Sequence, residues 1–196
     1  MPRQDESIDA DFYAFPRFVT HIDDGAIDAV TALYRELLPA GGAVLDLMSS
    51  WVSHLPAEIA YGEVVGLGMN GAELARNPRL MRWLVQDLNV ESTLPFSNAT
   101  FDAVTLCVSF DYLVRPTDVM REAARVVKSG ARLVITFSNR CFPTKAVLPW
   151  HYLDDAGHLE FVAARVRAAG GWTNITTLDR SPPSGDPLFA VIATAQ

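Results

Sequence analysis

The chain has 196 residues, 49% hydrophobic and 20% charged, with 16 Lys and Arg against 23 Asp and Glu for a net charge of −7. That length fits one domain, 1–196, around a single core. The acidic balance excludes a general attraction to nucleic acid or to an anionic membrane.

Met1–Ser7 lacks the apolar core of a signal peptide, and no apolar run approaches the ~20 residues of a spanning helix, so the expected address is cytoplasmic. Cys107 and Cys141 have no metal-ligand spacing and read as buried free thiols; a catalytic thiol is the minor alternative. Met1–Asp11 is polar and reads as loose. Phe12, Tyr13, Phe15 and Phe18 then gather around Pro16 and Arg17, too much apolar surface for a disordered tail. This segment should pack on the core, within an N-terminal lid and helical region spanning 1–40.

Asp23 or Asp24 can cap a helix whose Ile27, Val30, Tyr34 and Leu37 follow helical spacing, ended by Pro39 and Gly41-Gly42. Ala43-Val-Leu-Asp46 follows as a strand that begins the α/β core, 41–196, and carries an acid at its C-terminal end. In open α/β sheets, ligands sit at the carboxyl ends of strands. Glu63–Gly68 is the second strand. Asn70 and Glu73 resemble a capping box for a helix that should run until Asn77-Pro78. Trp83–Asp87 is a third strand ending in an acid.

Phe101–Ser109 is the best strand pattern in the chain. Thr117–Val127 is an amphipathic helix, ended by Lys128 and Gly130. Ala131–Phe137 is the fifth strand and Asp155–Ala169 the next helix. Thr173–Leu178 and Leu188–Thr194 have no room for a crossover helix between them, so they form an antiparallel hairpin. The predicted fold is Rossmann-like α/β: a doubly wound, mostly parallel, seven-stranded sheet with a C-terminal antiparallel hairpin.

Val44-Leu-Asp46, Val65-Gly-Leu-Gly-Met-Asn70, Asp87, Leu94-Pro-Phe, Phe101-Asp-Ala-Val104 and Arg121–Gly130 leading into Leu133-Val-Ile-Thr together resemble the class I S-adenosylmethionine-dependent methyltransferases. The later phrases resemble their type 11 branch. His21-Ile-Asp23, the run from Met48 to Pro56 and Ser138–Lys145 resemble a poorly characterised subgroup of it. The resemblance spans roughly Ala26 to Ala195 and implies S-adenosylmethionine as cofactor, S-adenosylhomocysteine as product and a small-molecule acceptor.

In that family the first-strand acid and a glycine-rich turn hold the amino-acid end of the cofactor. Asp46 matches the acid, while the glycine positions fall on Met48, Ser50 and Val52. Ser49 and Ser50 offer hydroxyls instead. The family's ribose-binding acid falls on Gly68, beside Met69; Asn70 or Glu73 is the replacement, or Asn70 only caps its helix. Asp87 matches the residue that accepts the adenine amino group, with the Leu88 backbone nearby, or it caps a turn.

Ser109, Asp111 and Tyr112 leave the fourth strand where the family places substrate or methyl-donor contacts, with Asp111 and Tyr112 as candidates to orient the acceptor. His21 and His54 are candidate general bases, or structural histidines. Arg17, Trp51, Asn139 and Arg140 are candidate acceptor contacts, Trp51 and Phe142 candidate closures of the pocket, and Lys145 reads as a solvated cation. The Phe-rich N-terminal segment suits an apolar or aromatic acceptor, or a homodimer contact. The competing function is a non-catalytic protein of the same fold that binds a ligand or partner, because fold does not decide chemistry.

Overall fold

A computed structural model describes all residues from Met1 to Gln196. Seven strands form one sheet in the order β3-β2-β1-β4-β5-β7-β6. They are β1 (Ala43–Leu47), β2 (Glu63–Gly68), β3 (Arg82–Val85), β4 (Phe101–Cys107), β5 (Val127–Phe137), β6 (Trp172–Asp179) and β7 (Phe189–Ala195). β1 through β5 run parallel, and β7 lies antiparallel between β5 and β6. The strand order reverses at β1 and β4, which opens a crevice at their carboxyl ends.

The central strands are apolar on both sides because helices cover both faces. Val44 of β1 faces α2 (Asp24–Leu37) through Val30, Leu33 and Tyr34. Its neighbour Leu45 faces the opposite core, built with Val119, Met120 and Ala123 of α4 (Pro116–Val126) and Val162 and Val166 of α5 (Asp155–Ala169). Asp23 caps α2, its Oδ1 accepting from the Ala26 N–H at 2.9 Å.

Three local expectations are corrected. The helix after β2, α3, is the single turn Gly71–Leu74 and does not reach Asn77. Asn77 turns inward, where its side-chain amide donates to the Ser50 carbonyl and the Ser53 hydroxyl. β5 begins at Val127, directly after α4, and passes through Gly130 at φ 81° with a register shift opposite β4. β4 stops at Cys107 because Val108 turns into the left-handed region at φ 42°.

The segment Met1–Asp11 is docked rather than loose. Arg3 pairs with Asp9 at 2.7 Å, with side-chain exposures of 7% and 3%. Lys145, expected in solvent, is fully buried; its ammonium meets Asp9 at 3.1 Å and Asp5 at 3.3 Å and donates to the Ser7 carbonyl at 2.7 Å. The short turn α1 (Asp9–Phe12) follows and leads the chain across the carboxyl ends of the strands. No helix is long and apolar enough to cross a membrane.

Candidate functional site

The chain leaves β1 through Met48 at φ 55°, a left-handed conformation in which an L side chain costs about 1–2 kcal/mol. This stands at the first of the family's glycine positions. The turn it permits carries the Ser49 carbonyl over β2, 2.1 Å from where a Cβ of Gly68 would stand. An acid at that position is therefore excluded by backbone, and Gly68 is required by close approach.

Asp46, 4% exposed, ends β1 beneath this turn. Its Oδ2 accepts from the hydroxyls of Ser49 at 2.6 Å and Ser53 at 2.7 Å, and its Oδ1 from Thr105 on β4 at 3.0 Å. Burial pushes the carboxyl above its usual range, and the three hydroxyls pull it partly back. Hydroxyls thus order a loop that glycines would otherwise shape. Asp46 and Ser49 were candidates from the sequence; Ser53 was not singled out, and Thr105, fifty-nine residues on, carried no local signal.

Above the turn lies a cavity of about 150 Å³. Its floor is Asp46, Leu67, Gly68, Met69 and Ser109; its sides include Ser49, Ser50, Asp87, Leu88, His54 and Tyr112. The N-terminal segment contributes Tyr13, Arg17, Val19, Thr20 and His21 to its lining. Trp51, Met48 and Asn70 complete the wall. Asp9, Asn89 and Phe142 also line it; the first two escaped the sequence reading because their places depend on the docking of the first residues.

The lid is tied down through its main chain. The Asn70 amide donates to the carbonyls of Tyr13 at 2.9 Å and Ala14 at 3.1 Å, while its oxygen caps α3. The Arg17 N–H donates to Glu73 Oε1 at 2.7 Å, and the Trp51 indole N–H to the Val19 carbonyl at 3.0 Å. The second Glu73 oxygen accepts from the Ser50 hydroxyl.

Polar capacity remains toward the cavity. The Ser109 hydroxyl is buried with no partner. Asp87 accepts the Asn89 N–H on Oδ1, the turn-capping role foreseen as its alternative, and its Oδ2 has no partner. Burial lowers the His54 imidazole below its usual value; for His21 burial also lowers it, more than nearby Glu73 raises it. The Tyr112 hydroxyl accepts from the Phe142 N–H at 2.8 Å.

Three predicted contacts lie elsewhere. Asp111, 2% exposed, is buried behind the wall and is not among the lining residues; burial pushes its carboxyl up to about 8. Asn139 and Arg140 are exposed outside the cavity, and Arg140 pairs with Asp186 at 3.0 Å. Of the loop after the fifth strand, Phe142 reaches the cavity and Asn139 and Arg140 do not. Cys107 lines the cavity as a free thiol that burial holds up at about 12, unsuited to nucleophilic work.

A doubly wound sheet with a terminal antiparallel pair, and a crevice over an acid at the end of β1, is the fold of the class I S-adenosylmethionine-dependent methyltransferases, and the chain has that fold. Residues 49–135 match the family model described as a methyltransferase domain. The chain is 34% identical over 86 residues to the ubiquinone/menaquinone biosynthesis C-methyltransferase UbiE of Cereibacter sphaeroides, a match covering 43% of this chain and 32% of that protein. The chain thus matches about a third of the length of that curated relative.

Among solved structures it resembles the cyclase SpnF, with a TM-score of 0.67 and 17% identity over 95% of this chain and 91% of that one. It also resembles the Haemonchus contortus phosphoethanolamine N-methyltransferase 2 in complex with S-adenosyl-L-methionine, with a TM-score of 0.63 and 13% identity over 86% of this chain and 52% of that one.

Proposed function

We propose that this chain binds S-adenosylmethionine in the cavity and transfers its methyl group to a small molecule. The observation that carries the reading is the charge and polarity of the wall: Asp9, Asp46, Glu73 and Asp87 face one arginine, and a buried hydroxyl on Ser109 lacks a partner. A cationic sulfonium with an ammonium and several hydroxyls and amines suits such a wall.

The cofactor supplies an electrophilic methyl group; the chain supplies position and dryness. The unspent Asp87 Oδ2 and the Leu88 backbone are suited to the adenine end, and the loop of Asp46, Ser49 and Ser50 to the amino-acid end. Glu73 is suited to the ribose in place of the acid that Gly68 excludes, once the Arg17 N–H leaves it. Tyr112 and Trp51 shape the acceptor side. A ring nitrogen of His21 or His54, neutral at physiological pH because of burial, is able to take a proton from an acceptor that must lose one. At about 150 Å³ the cavity is smaller than the roughly 300–1,000 Å³ of sites for drug-sized ligands, and an outward shift of the N-terminal segment would enlarge it.

The second reading, a non-catalytic binding protein, is favoured by one observation: the Asp46 carboxylate is engaged by three hydroxyls and Glu73 by two donors before any ligand arrives. The likeness to a protein described as a cyclase adds that this fold houses other chemistry. Calorimetric titration with S-adenosylmethionine and S-adenosylhomocysteine separates the two. Micromolar binding is expected, weakened by about 1–3 kcal/mol in Asp87→Ala. No binding by folded wild-type protein would favour the second reading.

A further inference from the structure

Arg17 is the one lysine or arginine lining the cavity, set against Asp9, Asp46, Glu73 and Asp87. A lid arginine serving only as a fastener would meet the nearest carboxylate. Three of those carboxylates are otherwise engaged: Glu73 by the Arg17 main-chain N–H and the Ser50 hydroxyl, Asp9 by Arg3, Lys145 and Asn89, and Asp46 by Ser49, Ser53 and Thr105. No ion pair in the structure includes the Arg17 guanidinium.

It rests instead on aromatic rings, 4.7 Å from the Phe12 centroid, 5.4 Å from Phe142 and 5.8 Å from Tyr13. Nη2 donates to the Phe12 carbonyl at 2.9 Å and Nη1 to the Phe15 carbonyl at 3.4 Å, which leaves the rest of its donor fork unspent. The His21 ring packs edge-on against the same Phe142 ring at 5.2 Å. A guanidinium held over rings, without a counter-charge, is a receptor for a planar anion. A single cation among four carboxylates matches a monoanion rather than a phosphate dianion, and at the guanidinium itself an amine finds only donors.

We propose that the acceptor is a small organic acid whose carboxylate sits on the Arg17 guanidinium and whose planar or apolar body lies beside Phe142 and His21. This rests on the methyl-transfer reading for what the cavity does, and on Arg17 alone for which ligand it takes.

The test is calorimetric titration with benzoate, and with benzamide, benzylamine and phenyl phosphate as neutral, cationic and dianionic counterparts, each with and without S-adenosylhomocysteine. Benzoate is expected to bind best. Arg17→Gln should weaken it roughly ten- to hundredfold and Arg17→Lys by less, with S-adenosylhomocysteine affinity kept in both.

Equal binding of benzamide, tighter binding of benzylamine or phenyl phosphate, or no benzoate binding by wild type would overturn the proposal. So would an undiminished benzoate affinity in Arg17→Gln, or in Arg17→Lys should the glutamine variant not fold. A matching loss of S-adenosylhomocysteine affinity would overturn it too, by giving the cation to the donor's own carboxylate. Benzoate binding through Arg17 without any S-adenosylhomocysteine binding would instead overturn the methyl-transfer reading and leave the anion site standing.

Discussion

The Ser49 carbonyl occupies the space a Gly68 side chain would need, 2.1 Å from its Cβ position. One residue's backbone therefore dictates another's identity across two strands. Gly68→Ala must push the loop off β2, breaking the Ser49 N–H bond to the Leu67 carbonyl at 2.9 Å. The expected cost is about 1–3 kcal/mol in urea unfolding, with loss of S-adenosylmethionine binding. A variant as stable as wild type would show that the loop shifts freely.

Thr105→Val, nearly isosteric, removes the hydroxyl that Asp46 Oδ1 accepts. Stability should fall by about 1–3 kcal/mol near neutral pH. An acid held above its usual range keeps its proton in the folded state where the unfolded chain has lost it, so stability declines as pH rises from about 4. Removing Thr105 lifts Asp46 further, and the deficit should be larger at pH 8 than at pH 4.5. Equal deficits in urea midpoints at the two values would count against this.

The buried Asp111 carboxyl, pushed up to about 8 by burial and with one oxygen unpartnered, acts in the same direction. Wild-type stability should drop between pH 4 and 8 through this group. Asp111→Asn should gain on wild type across that window by an amount on the order of a few kcal/mol and hold the gain above it. Parallel stability curves for the two proteins would remove Asp111 from the account.

Lys145→Met leaves Asp5 and Asp9 without their shared cation in a buried setting. A loss of about 3–5 kcal/mol is expected, because breaking a buried ion network strands the remaining charge. The first residues should also become protease-sensitive before the core unfolds. Protection equal to wild type would show that Arg3 and Asn89 suffice to hold Asp9.

The sheet was legible because its strands are short apolar runs bounded by glycine, proline or acid, and because the spacing before β7 leaves no room for a helix. Asp46, Ser49 and Ser50 were legible from their place at a strand end. Lys145 was not: its partners Asp5 and Asp9 lie at the far end of the chain, and a lone lysine after a strand looks solvated. Asp111 misled because leaving β4 at Val108 in a left-handed turn rotates the following residues, which no pattern of residue types announces. The length of α3 was hidden because Asn77 is drawn inward by Ser50 and Ser53, two hydroxyl residues that themselves sit in a loop.

The hydrogen bonds that join residues 13–19 to the core all grip main chain: the carbonyls of Tyr13, Ala14 and Val19 and the N–H of Arg17. The gripping side chains, Asn70, Glu73 and Trp51, all belong to the core. Those bonds are thus blind to which side chains the segment carries, while Phe12, Arg17 and His21 add contacts to Phe142 through theirs. An exchange at Tyr13 therefore changes what faces the cavity while every one of these bonds stays in place, as a pane can be replaced without touching the hinge.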